Sequence, residues 1–343
     1  MMSALQGRAQ SAYAPTRPTV YYRKPIRRSL VWWLRLLGVA TFLSIVLVCV
    51  ARSGDARVLR LDWRWMGLCM GLTFAQLLLE AVVWHWLLRA QRIPYAYPKT
   101  LLAHLASQYL GLVTPNHVGE LLAAGHISSD TGITFGYALS SVVMRKLIAG
   151  ATLMGFGIWS VPLLAEASFL RGMQVVVWSV VVVLTLAIAI TSWVLSLRRL
   201  WRKWEKVSPW KIELAEFWAG LWQLASPRLV VPLAISILSF GLLFFQLDAV
   251  LHAMGIALPF ALVCRLMALS RITARLLPVS LFGFGSKDVL LILLLRQHGL
   301  SLADGLTAAL LLLLCSHVLT LLASGLAWWI KPLVIRRVAG TSS

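Results

Sequence analysis

The sequence predicts an all-α polytopic membrane protein, with about six transmembrane helices and two opposed re-entrant helical hairpins in an inverted-repeat arrangement. Three observations predict it. Of 343 residues, 59% are hydrophobic and 13% are charged, with a mean hydropathy of +0.81, a composition that excludes a soluble enzyme. Apolar runs of about 20 residues recur, each long enough to cross a bilayer. Two further apolar stretches are broken by prolines, glycines and charges, at Thr114-Pro115-Asn116-His117-Val118-Gly119-Glu120 and from Pro278 to Asp288. Unpaired backbone does not survive in hydrocarbon, so such breaks belong inside protein or beside a water-filled cavity.

Residues 1–29 are polar and basic, with Pro15, Pro18 and Pro25, and read as a disordered cytoplasmic tail. The run from Val31 to Val50 is long enough to span and reads as a retained anchor rather than a cleaved signal peptide. Residues 30–337 form one transmembrane domain and 338–343 a short tail. Full spans are expected at 31–50, 65–88, 136–164, 172–197, 228–254 and 304–330. The first broken stretch, 100–127, falls between the second and third spans, and the other, 259–298, between the fifth and sixth. Each has an apolar arm on both sides of its break, as a hairpin requires. Residues 198–227 carry Trp201, Trp204, Trp210, Trp218 and Trp222 among charges, which predicts an amphipathic helix pair on the inner leaflet.

The formal charge of +20 comes from Lys and Arg at the ends of apolar segments, so the positive-inside rule explains it better than nucleic-acid binding. The basic tail, the link with Arg89, Arg92 and Lys99, the stretch from Arg198 to Lys211, and Lys331, Arg336 and Arg337 share one face. That face is expected to be cytoplasmic, placing both termini inside a bacterial-type inner membrane. The opposite link, 51–64, sets four arginines against Asp55 and Asp62. Cys49, Cys69, Cys264 and Cys315 lie in apolar stretches without metal or redox spacing and read as small buried hydrophobes.

At the first break Pro115 lacks an amide donor and Gly119 permits unusual backbone, so a second arm is expected to start near His117 to Glu120. At the second, Pro278 ends one arm, Gly283 and Gly285 allow a tight turn, and Ser286 caps an arm running through Lys287 and Asp288. Two helix starts facing one point make an anion site. Arg145 and Lys146 lie inside a span, and Arg265, Arg271 and Arg275 lie on the first arm of the second hairpin. A charge at the bilayer centre costs roughly 2.5 kcal/mol or more, so these predict a cavity or an anionic partner where they do not snorkel. Glu80, Glu120, Asp248 and Asp288 are the acids available to balance them, as structural caps, ion-pair partners or proton carriers. His117 reads as a hydrogen-bonding element at a helix start. His85, His104 and Glu80 have no metal-ligand spacing, no phosphate loop follows a strand, and no cofactor is expected.

From Leu276 to Asp288 the chain resembles the Leu-Pro-x-Ser-x-x-Gly-x-Gly-x-Arg-Glu element of the flippase-like membrane domain of lysylphosphatidylglycerol synthases and its stand-alone relatives. Ser280, Gly283 and Gly285 hold their places in it, Ser286 falls at an open position, and Lys287 and Asp288 replace Arg and Glu with charge retained. Asn116 to Gly125 resembles the family's earlier Pro-x-x-x-Gly element, and Ala138 to Lys146 the following stretch, with Met144-Arg145 where the family commonly has Glu-Arg. The aminoacyl-transferase domain of the synthases has no counterpart in these residues. The resemblance implies lipid handling or translocation rather than lipid aminoacylation; with the helix starts and intramembrane cations it leads to the expectation of an anionic phospholipid or lipid-linked phosphate held at Asn116, His117, Gly119, Glu120, Arg145, Arg271, Arg275, Ser280, Gly283, Gly285, Ser286, Lys287 and Asp288. The alternatives are a membrane transferase using Glu120 or Asp288 as general base, or a non-catalytic partner of a lipid- or glycan-synthesising enzyme.

Overall fold

The computed structural model describes residues 61–113, 115–166, 209–276, 280–281 and 284–332. The tail, the expected spans at 31–50 and 172–197, and residues 198–208 lie outside the described residues. So do Gly283, the wider side-chain detail of Asn116, His117, Ser280, Gly285 and Ser286, and the side chain of Arg275.

The described chain is helical. Helix α1 (Trp63–Ala90) starts where the Asp62 side chain accepts a hydrogen bond from the Arg64 amide at 3.0 Å. Helix α2 (Tyr97–Val113) ends just before Pro115, whose ring disfavours helical backbone in the preceding residue. A 3-10 segment (Pro115–Leu122) then leads into α3 (Ala123–Thr131), closed by Gly132 at φ 74°. Helix α4 (Phe135–Glu166) follows, then α5 (Pro209–Leu224) and α6 (Val230–Ala253). Helix α7 (Phe260–Leu276) leads to two short strands, β1 (Ser280–Leu281) and β2 (Phe284–Gly285), and then to α8 (Ser286–Gln297). The last span is built from α9 (Leu302–Leu312), a π-helical segment (Leu313–Val318) and α10 (Leu319–Ile330). It opens on a reciprocal cap between Ser301 and Asp304.

Among the described residues four helical runs are long and apolar enough to cross a membrane: Trp63–Ala90, Phe135–Ser160, Val230–Ala253 and Leu302–Ile330. They match four of the six expected spans. Their outward faces carry large apolar side chains such as Phe74, Ile158, Leu238 and Trp329, the surface a lipid-facing helix needs.

Two sets of four elements repeat. In the first, α1 leads through α2, the break and α3 to α4; in the second, α6 leads through α7, the ribbon and α8 to the last span. The packing is reciprocal: α1 lies along α6, α2 packs on α10 of the second set, and α7 packs on α4 of the first. Helices α1 and α6 run antiparallel, since the Asp62 amide donates to the Ala253 carbonyl at 3.1 Å and Trp65 stacks on His252. Two main cores result, the second also taking in Leu61, Met66 and Cys69 from the start of the first set. One joins Trp84, Leu88, Ala103, Ile127 and Val142; the other joins Leu247, Val250, Leu266, Met267 and Leu294. Cys69, Cys264 and Cys315 are free and buried, as expected of small apolar residues.

Both breaks differ in detail from the sequence expectation. The second arm of the first break begins at Pro115 in 3-10 geometry, and its α-helix begins only at Ala123. Gly119 therefore lies inside the 3-10 segment rather than at an α-helix start, and its amide is not a first-turn donor. The second break is a small antiparallel ribbon pairing Ser280 with Gly285 and Leu281 with Phe284, not a bare turn. Helix α8 starts at Ser286 as expected. Of the expected interfacial pair, the described part is α5, which packs on α4 and exposes Ile212 and Trp222.

Candidate functional site

The first break closes a buried polar network. Glu120 sits directly beneath Gly111 of α2, where an added Cβ would stand 2.6 Å from the Glu120 Cγ, so the glycine is what lets this carboxylate enter the bundle. Lys146 Nζ donates to Glu120 Oε2 at 2.9 Å, and Arg145 Nη2 lies 3.4 Å from the same oxygen. Arg145 is 7% exposed and its guanidinium lies over the Trp84 ring, 5.7 Å from the centroid. It is therefore an internal ion-pair partner and does not snorkel to the interface. Its Nη1 donates to His104 Nδ1. Arginine cannot accept, so His104 carries its proton on Nε2, which faces Glu80 Oε2 at 3.5 Å. Gln108 and Gln76 donate to the two Glu80 oxygens at 3.3 and 3.1 Å, and Gln246 of α6 donates to Gln76 at 2.8 Å. The network carries Glu80 and Glu120 against Arg145 and Lys146, so its formal charges cancel.

The second break builds a different cluster. Lys287 and Asp288, in the first turn of α8, are 7% and 4% exposed. Lys287 Nζ donates to His317 Nε2 at 2.9 Å. His317 Nδ1 then donates to Ser316 Oγ at 3.1 Å, and Ser316 donates to the Leu312 carbonyl at 2.6 Å. These partners fix a neutral imidazole inside the π-helical segment, the kind of helix irregularity often found at functional positions. Lys287 lies 4.0 Å from Asp288 Oδ1 and close enough to Arg271 to feel its charge. Among the described residues, Lys287 and Arg271 stand against one carboxylate, Asp288, at the positive end of a 12-residue helix.

Of the other expected cations, Arg265 stacks on Trp159 with its guanidinium 4.9 Å from the ring centroid. Asp248 pairs with His252 one turn on, at 3.6 Å. The structure thus joins Glu120 with Arg145 and Lys146, and Lys287 with Asp288, while Gly119 remains a backbone element of the first break. The point where the two tips were expected to meet involves residues 114, 277–279 and 282–283, outside the described residues.

His104 and His317 were not among the expected site residues, and Glu80 was expected only as an acid able to balance the intramembrane cations. Glu80 and His104 offer no metal-ligand spacing, but each has a glutamine one turn away, Gln76 and Gln108, on an otherwise apolar helix. A polar pair at i, i+4 in an apolar segment marks one inward face. Among the described residues no group of three or more His, Cys, Asp or Glu side chains could hold a metal ion.

A family model described as the lysylphosphatidylglycerol synthase TM region matches residues 30–324. No curated protein and no solved structure matches the chain.

Proposed function

We infer that this chain, which belongs to the lysylphosphatidylglycerol synthase transmembrane-region family, moves an anionic phospholipid or a lipid-linked phosphate between leaflets. One observation carries the reading: among the described residues the second break gathers Lys287 and Arg271 around one carboxylate at a helix start, whereas the first sets two carboxylates against two cations. Cations gathered at a helix start suit a phosphate. The two breaks are read as re-entrant hairpins of inverted repeats, supported by the reciprocal packing and by antiparallel α1 and α6. Lys287, Arg271 and the first amides of α8 replace water around the headgroup while the acyl chains stay in lipid. Rocking of the two repeats alternates access. The basic links set both termini on the cytoplasmic side of an inner membrane.

Transport is favoured over a transferase by the state of the two candidate bases. Glu120 is already engaged by two cations, and Asp288 lies beside Lys287, so neither is poised to take a proton from a hydroxyl. The test is lipid scrambling in proteoliposomes, read as the fluorescent phosphatidylglycerol that an impermeant quencher reaches. The wild type moves the lipid, and Arg271→Ala or Arg275→Ala abolishes the movement while the protein stays folded. Unaltered rates in both variants would sink this site assignment.

A further inference from the structure

The link between α1 and α2 holds a pocket of about 530 Å3, away from both breaks, lined by His85, Arg89, Arg92, Tyr95 and Tyr97 among others. Its hydroxyls are already committed. Tyr95 donates to Asp130 at 2.6 Å and Tyr97 to the Leu78 carbonyl at 3.4 Å. The His85 ring is turned to Thr100, 3.3 Å away. The two guanidiniums are exposed, and no carboxylate among the described residues pairs with either of them. Asp130, on the far side of Tyr95, is already held by Lys331. Helix α2 begins in the same pocket wall with no acid in its first turn, so its positive end is also uncompensated.

Arg92 adds an independent observation. It is the one non-glycine residue with positive φ among the described residues, at 60°. Its amide donates to the Arg89 carbonyl and the Ile93 amide to the Leu88 carbonyl, both at 2.9 Å, which closes α1 with a left-handed residue. Glycine is the natural occupant of that position because a Cβ is strained there. An arginine kept in a strained backbone at a pocket edge points to a use for its side chain.

We propose that this pocket is a phosphate-binding site, taking either the phosphodiester of an anionic lipid headgroup or the phosphate of a soluble compound. Arg89 and Arg92 grip the oxygens, with the first amides of α2 behind them. The site stands apart from translocation and does not depend on that reading.

The test uses the full chain in nanodiscs. In discs of phosphatidylcholine alone, inorganic phosphate and pyrophosphate are titrated by calorimetry. In discs doped with phosphatidylglycerol, retained lipid is measured by native mass spectrometry. Arg92→Gly suits the left-handed backbone and leaves the melting temperature unchanged or raised; Arg89→Gln is the second variant. Binding in either arm that weakens about tenfold in both variants supports the site, and the arm identifies the phosphate source. Absence of binding by the wild type in both arms, or binding that both variants keep, overturns it. Lys287→Met separates the two sites: retained lipid lost in that variant alone, with no phosphate or pyrophosphate bound in the other arm, bears on translocation and overturns the pocket.

Discussion

At the scale of single residues, the two buried cations differ in what surrounds them. Arg145 is held by Glu120, by the His104 lone pair and by the Trp84 face, so its charge is answered inside the protein. Removing one member of such a pair leaves a buried charge alone, at about 3 kcal/mol or more. Glu120→Gln and Arg145→Gln should each lower thermal stability by about that much, and the double variant should cost less than their sum. Strict additivity would mean that the two do not act as a pair. The sequence marked Glu120, Arg145, Lys287 and Asp288 because charges in apolar runs are legible one at a time. It could not show that His104 and Glu80, 24 positions apart, complete the first network, because that pairing is made by the packing of α2 on α1.

At the scale of elements, the breaks were legible and their geometry was not. Pro115, Gly119 and the glycines after Pro278 announce that a helix stops. They do not distinguish a turn from eight residues of 3-10 helix, or a loop from a two-stranded ribbon, because those depend on what the returning arm packs against. The π-helical segment around His317 left no mark in its leucine-rich run. Gly111 is the hinge of the first break's packing. Gly111→Ala should cost about 1–3 kcal/mol by overpacking against Glu120, and much less in a Glu120→Ala background. An equal loss in both backgrounds, measured by thermal unfolding, would contradict that contact.

At the scale of the whole molecule, the two repeats are tied at one end by Asp130, which joins the end of α3 to Tyr95 and to Lys331 after the last span. Burial alone would raise the Asp130 carboxyl, but hydrogen bonds from Lys331 and Tyr95 hold it below the ordinary carboxylate range. A depressed carboxyl stabilises the fold at pH above its unfolded value, and that contribution is lost as pH falls through the folded value. Asp130→Asn should therefore lower the melting temperature at neutral pH, by about 1 kcal/mol of stability, and the gap should close on acidification. A gap that widens instead would contradict the tie. The matching places of the two breaks between apolar runs were legible; the exchange of partners, α2 on α10 and α7 on α4, appears only in the packing.

Headgroup selectivity is the sharpest test of whether the Lys287–Asp288 cluster at the second break receives an anionic headgroup. Scrambling rates of fluorescent phosphatidylglycerol and phosphatidylcholine are compared in proteoliposomes for the wild type and for Lys287→Met. The wild type should move the anionic lipid faster, and the variant should lose that preference by about tenfold or more, the effect of one charged hydrogen bond. Equal rates for both lipids in the wild type, or a preference untouched by Lys287→Met, would contradict it.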